Sequence, residues 1–170
     1  MSVSRVYLHA LGMINALGEN LDAIVPALAA CRAPGMGVAH MGIGDAFVGR
    51  VCAPLDIAPP ASLARYDCRN NRLLLAALKQ IESAVQAARE RYGADRIGVV
   101  LGTSTSGIDA AETAFVHQAQ AGELPASFNY RQMEIGTVAP FAAAVLGIHG
   151  PAFTISTACT SSAKAFVSAR

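Results

Sequence analysis

Charge is scarce in this chain. Asp, Glu, Lys and Arg make up 15% of its 170 residues, whereas apolar residues make up 53%. That balance excludes a disordered chain, which has too few apolar residues to offset the entropy of ordering. It is apolar even for an independent domain of this size, whose large surface needs polar cover. Much of the chain is therefore expected to face a partner or a further part of its own fold. Net charge is +1, so neither nucleic acid nor an anionic membrane is an expected partner.

Other signals are missing as well. The four cysteines are Cys31, Cys52, Cys68 and Cys159, and no pair has C-x-x-C spacing. A zinc site, a dithiol redox motif and a bound metal are not expected. Scattered cysteines in an apolar chain fit a reducing, cytoplasmic setting. The N-terminus has no secretory pattern, because its apolar stretch is interrupted by His9 and Asn15 and no charged region precedes it. Between Glu134 and Lys164 there is no charged residue at all. A membrane span would need about 20 predominantly apolar residues. This segment instead holds Pro140, Gly147, Gly150 and Pro151 and then alternating Thr and Ser, so it reads as a buried helix followed by a buried strand.

Hydrophobic spacing supplies the elements. Residues 4–12 alternate as a strand, and His9 on it is expected to be a satisfied core or edge histidine. Residues 20–31 place Leu21, Ile24, Val25 and Leu28 on one helical face, with Pro26 set to kink or delay the helix. Residues 33–62 read mostly as loop, with a short strand around Phe47–Val51. The clearest helix covers 68–92, where Leu74, Leu78, Ile81, Val85 and Ala88 recur at helical steps. Asp67 is placed to cap its start and Gly93 to end it. Ile97–Leu101 reads as a strand buried on both faces, and Gly102–Gly107 as a small-residue loop leaving it. Asp109 and Glu112 suggest a capped helix ending near Gly122, followed by loop over 123–133. Residues 137–146 read as an Ala-rich buried helix and 152–158 as a buried strand. Strands alternating with helices give an α/β class with a largely parallel sheet.

The chemistry concentrates at Cys159. It follows the β-branched run Phe153-Thr-Ile-Ser-Thr157 and precedes Thr160, Ser161 and Ser162. That order predicts a strand, a sharp turn and a helix, with the thiol at the turn. A helix N-terminus carries unpaired N–H groups and partial positive charge, which favours thiolate, the form that attacks carbonyl carbon. The Cys159 amide can also point at the oxygen of a bound thioester and supply half of an oxyanion hole. Ala158 and Ser162 are small, as a sharp turn demands.

Gly150, Ile155, Ala158, Cys159, Thr160, Ser161, Ser162 and Phe166 together resemble the active-site signature of the β-ketoacyl synthases, the condensing enzymes of fatty acid and polyketide synthesis. Tyr7–Gly18 looks like that family's opening strand and loop, and Ile97–Gly107 like its next core strand and Gly/Ser loop. The resemblance covers essentially all of the chain. It implies a thiolase-like fold, of which this chain is the N-terminal αβαβα half, ending at Arg170 inside the helix that Cys159 begins, with the C-terminal half absent. The position of the cysteine is similar to that of the elongating class rather than of thiolases or initiating synthases, and a chain-length-factor paralogue would normally lack it. The implied reaction is a decarboxylative Claisen condensation. Cys159 would take an acyl chain from acyl carrier protein, with no bound cofactor beyond the carrier's phosphopantetheine, and malonyl-carrier protein would supply the attacking carbanion.

The same resemblance places two catalytic histidines and a lysine in the C-terminal half, and His9, His40, His117 and His149 match none of them. His149, beside the entry to the cysteine strand, is expected in packing or an interface. Thr105 falls in a loop that borders the family's acyl pocket near the partner subunit, which makes it a candidate substrate-binding residue. The implied partners are acyl carrier protein, the missing half, and a second subunit in either a homodimer or a heterodimer with a chain-length-factor-like chain; the fragment by itself is expected to be inactive. Two other readings stand beside this one. An interaction or dimerisation module would keep the motif for packing and use 135–163 as its surface. Another α/β cysteine acyltransferase or hydrolase would require a local histidine base.

Overall fold

Two parallel strands and the helices that cross between them carry the cysteine. The computed structural model describes residues 6–170. Strand β3 (Val99–Gly102) pairs in parallel with β4 (Ala152–Ile155), with Val99 opposite Ala152 and Gly102 opposite Ile155. Parallel strands need a long crossover, and here it runs through α4 (Ile108–Ala121), short 3-10 turns and α5 (Val138–Leu146). The charge-free run explains the placement of α5: Ala139, Phe141 and Ala142 are fully buried. Its alanines let the helix approach closely, and Ala139, Ala142 and Ala143 pack with Val99 and Ile148. Helices α2 (Arg69–Lys79) and α3 (Glu82–Tyr92) close the other side with Leu74, Leu78 and Val85. A second cluster joins Tyr66, Leu75 and Phe141, with the two rings 5.6 Å apart. Helix α6 (Ser161–Ser168) follows β4 and packs on β3.

Several expectations need correction. The strand over 4–12 is not formed at residues 6–12, and residues 4 and 5 lie outside the described residues. Val6, Tyr7 and Leu8 are exposed, and no neighbouring strand pairs with them; without a ladder the backbone groups gain nothing from extension. His9 is exposed on this segment rather than held in a core. The segment is tethered at Met13, whose N–H and C=O both bond to the side chain of Gln80. Helix α1 (Leu21–Ala29) forms with Pro26 inside it, its start capped by Asn20, which accepts from the Ala23 N–H. Its buried face is Ile24 and Ala27, while Val25 and Leu28 point outward.

The strand expected around Phe47–Val51 is one arm of a hairpin. β1 (Met36–His40) pairs antiparallel with β2 (Asp45–Gly49). Gly42 and Gly44 take positive φ, 75° and 140°, at its turn. The first arm, Met-Gly-Val-Ala-His, lacks the β-branched density that marks strands.

The single helix expected over 68–92 is two helices, broken at Gln80 and Ile81. The apolar spacing runs through the break and therefore conceals it. Asp67 does not cap α2; Cys68 holds the N-cap position without a side-chain bond, and Asp67 instead accepts two bonds from Arg72, both 2.7 Å. Gly93, at φ 85°, ends α3 as expected. Helix α4 has Gly107 at its N-cap, so Asp109 and Glu112 form no capping box, and left-handed Gly122 ends it. Within 123–133 a 3-10 turn at Tyr130–Gln132 carries a capping box of its own, built by Asn129 and Gln132. Strand β4 stops at Ile155, and neither β3 nor β4 is buried throughout: Phe153 is exposed, and Val100 and Leu101 are half-buried.

Candidate active site

The cysteine elbow is built by Ala158, Cys159 and Thr160, between β4 and α6, together with Ser161, the first residue of α6. Ala158 takes the left-handed conformation, φ 52°. For a residue with a Cβ this costs about 1–2 kcal/mol, and alanine keeps the steric part of that cost small. Cys159 follows and is exposed. Thr160 stands at the N-cap of α6, and its hydroxyl donates to the Thr157 carbonyl at 2.8 Å. Ser161 is 2% exposed. Its Oγ accepts from the Thr157 N–H at 2.8 Å and lies 2.6 Å from the Ala158 carbonyl and 3.1 Å from the Thr103 carbonyl. Thr160 and Ser161 thus offer hydroxyls to local backbone, as read from the sequence. No carbonyl or side chain among the described residues accepts from the Cys159 N–H.

Two glycines allow the elbow to form where it does. Gly150 lies against the Ile97 carbonyl, where any Cβ would collide. That contact admits the chain to β4, and Pro151 then receives the Val99 N–H at 2.8 Å. Gly102, the last residue of β3, lies under the first turn of α6. A Cβ there would meet backbone atoms of Ser161 at 2.6 Å and 2.7 Å. The need for Gly102 was not readable, because it depends on a helix that is 59 residues further along the chain.

Thr105 is exposed in the loop that leaves β3. Because β3 and β4 are parallel, this loop and the Cys159 elbow leave the sheet at the same end, the end where α/β folds place their ligands. No hydrogen bond joins Thr105 to Cys159. The loop is held instead by Ser106, buried at φ 49°, whose N–H donates to Thr103 Oγ1 at 3.0 Å. Ser106 had no signal in the sequence beyond its small size.

Three of the histidines have partners away from the thiol. His40 Nδ1 lies 3.1 Å from Asp45 across the hairpin, and His117 Nδ1 lies 3.0 Å from the Glu123 carbonyl. His149 is exposed, 3.5 Å from Asp95, with its N–H on the Ala94 carbonyl. None bonds to Cys159. Among the other thiols, Cys31 and Cys52 are exposed, whereas Cys68 is buried, and burial raises its pKa above the ordinary thiol value. No group of three or more His, Cys, Asp or Glu is arranged to hold a metal among the described residues, and no helix there is long and apolar enough to cross a membrane.

An accessible thiol, an amide at the first turn of a helix and a left-handed residue before it form an arrangement suited to covalent acyl transfer. No curated protein matches the sequence. In structure the chain is similar to a chain of the ketosynthase ApeO in complex with its chain length factor ApeC from Xenorhabdus doucetiae, with a TM-score of 0.87 and 43% identity. The likeness covers 95% of this chain and 42% of that one, so the present chain spans less than half of the length of that relative. The family described as β-ketoacyl synthase, N-terminal domain, matches residues 53–170. That span runs from before α2 through the whole elbow, and it makes this thiolase-like α/β chain a member of the β-ketoacyl synthase family.

Proposed function

We propose that the chain is the acyl-carrying N-terminal half of an elongating β-ketoacyl-ACP synthase, with Cys159 as its nucleophile. The observation that carries this reading is the elbow itself: an exposed thiol fixed between a left-handed residue and a helix N-terminus. Cys159 Sγ attacks the carbonyl carbon of an acyl thioester on acyl carrier protein. The C–S bond to the carrier's phosphopantetheine breaks, and the proton lost by Cys159 ends on the departing thiol. Negative charge builds on the acyl oxygen in between, and the Cys159 N–H is a donor for it. Condensation with malonyl-carrier protein then needs the two histidines and the lysine of the C-terminal half.

The partners follow from the same reading. Acyl carrier protein delivers both substrates. The neighbour's pairing with a chain length factor supports a heterodimer with a subunit of that kind, ahead of a homodimer. Thr105, at the same end of the sheet as the thiol, borders the acyl chain near that subunit. The protein acts in the cytoplasm, where its thiols stay reduced.

The test is the intact mass of the full-length protein after incubation with an acyl-loaded carrier protein. One acyl group should appear on Cys159 and disappear in Cys159→Ala. Acylation that persists in Cys159→Ala would overturn the reading. An unreactive Cys159 in a protein that still binds its partner subunit would leave an interaction module instead.

A further inference from the structure

We propose that Ser161 is the positioning residue that aims the Cys159 N–H at the acyl oxygen, a role that rests on the acyl-carrier reading of Cys159. The Cys159 N–H belongs to the peptide between Ala158 and Cys159. It is planar and trans, so its carbonyl and its N–H point in opposite directions. Whatever holds the Ala158 carbonyl therefore sets the direction of the Cys159 N–H. That carbonyl lies 2.6 Å from Ser161 Oγ and accepts the Ser161 N–H at 3.1 Å.

The hydroxyl has one proton and two acceptor sites. It accepts from the Thr157 N–H at 2.8 Å, and its proton goes to the Ala158 carbonyl, with the Thr103 carbonyl at 3.1 Å as second acceptor. One atom thus ties the segment after β4, the loop after β3 and the first turn of α6. Burial removes competing water, so these bonds hold a geometry that would fluctuate at the surface. A left-handed alanine has no intrinsic reason to stay in place, and such conformations persist where the surroundings over-determine them. Ser161 is the surrounding group that meets it.

Without Oγ, the Thr157 N–H loses its acceptor and the Ala158 carbonyl keeps only the Ser161 N–H. The elbow peptide is then held by that one longer bond and loses the shorter one that fixes its tilt. The loss falls on steps that build charge on an acyl oxygen. It does not fall on attack by Sγ at a saturated carbon, where no oxyanion forms.

The experiment compares two reactions of Cys159 in the full-length protein: transfer from acyl-loaded carrier protein, and alkylation by iodoacetamide. In Ser161→Ala, acyl transfer should slow by about tenfold or more while alkylation changes by less than about threefold, a split expected of a mis-aimed oxyanion donor. Ser161→Thr, which keeps the hydroxyl, should recover most of the acyl-transfer rate. Ser161→Cys, which keeps the volume but donates weakly, carries the same readout if the alanine variant does not fold. Equal slowing of both reactions, no slowing of either, or loss of the fold in both the alanine and the cysteine variant would make Ser161 structural and overturn the proposal. These outcomes are distinct from failure of the acyl-carrier reading, in which the wild-type protein itself would not acylate at Cys159.

Discussion

Asp67 shows how one side chain can satisfy a sequence rule and still do something else. It precedes a helical pattern, where a carboxylate commonly caps, yet its oxygens face Arg72 at 2.7 Å each. The bonds from Arg72 hold its carboxyl below the ordinary value of 3.8, with burial opposing and the charge of Arg72 adding. The folded state therefore binds fewer protons than the unfolded chain in acid. The stabilisation is present above 3.8 and is lost as pH falls through the lower folded value. Both side chains are partly exposed, so the pair contributes about 0.5–1 kcal/mol at neutral pH. Arg72→Ala should lower the unfolding free energy measured in urea by that amount at neutral pH, and the gap to wild type should narrow as pH drops below 3.8. A gap that is constant with pH would assign the loss to packing. At this scale Cys159 and Gly150 were legible, because each belongs to a local spacing. The tie from Ser161 Oγ to the Thr103 carbonyl was not, because that carbonyl lies on the loop after another strand, and the left-handed Ser106 gave no signal beyond its small size.

Elements were legible where one face is buried and illegible where the pattern had no partner to act on. The Ala-rich run became α5, and the first four residues of the run at 152–158 became β4, where Ala152 packs on the core. The alternation at 6–12 met no strand and stayed irregular, and the smooth spacing of 68–92 hid a break whose side chain, Gln80, reaches out to hold Met13 and Glu19. The junction of β3 with α6 is where element packing meets chemistry. Gly102→Ala would place a Cβ 2.6 Å from Ser161 backbone. Backbone cannot rotate away, so α6 must lift. The expected cost is about 1–3 kcal/mol, typical of overpacking, read as a lowered thermal midpoint. Acyl transfer to Cys159 should fall further than stability does, because the elbow moves with the helix. Gly37→Ala on β1, with open space around it and no positive φ, should leave acyl transfer unchanged. If both variants acylate like wild type, the contact between Gly102 and α6 does not govern the elbow.

The scarcity of charge finds its explanation in the surface of the whole molecule. The chain exposes 11193 Å², whereas a compact monomer of its mass would expose about 7,900 Å². The excess is about 3,300 Å², well beyond the roughly 800 Å² per partner of a standard interface. Among the described residues, 21 large apolar side chains are exposed, including Phe47 on the hairpin and Phe166 and Val167 on α6, whereas 8 of the 16 buried apolar residues are alanines. On the proposed reading of the chain as an N-terminal half, the rest of the fold would cover an area of that size; the likeness itself spans 42% of its relative. The polypeptide 1–170 made alone should therefore bind an apolar fluorescent dye strongly and elute as large assemblies in size exclusion. The full-length protein should bind the dye several-fold less and elute as a defined oligomer. The comparison must be made at matched concentration, since exposed apolar faces associate by mass action. A monomeric, dye-silent polypeptide 1–170 would mean that these faces rearrange to bury one another, and that the site at Cys159 does not depend on a second half to stay folded.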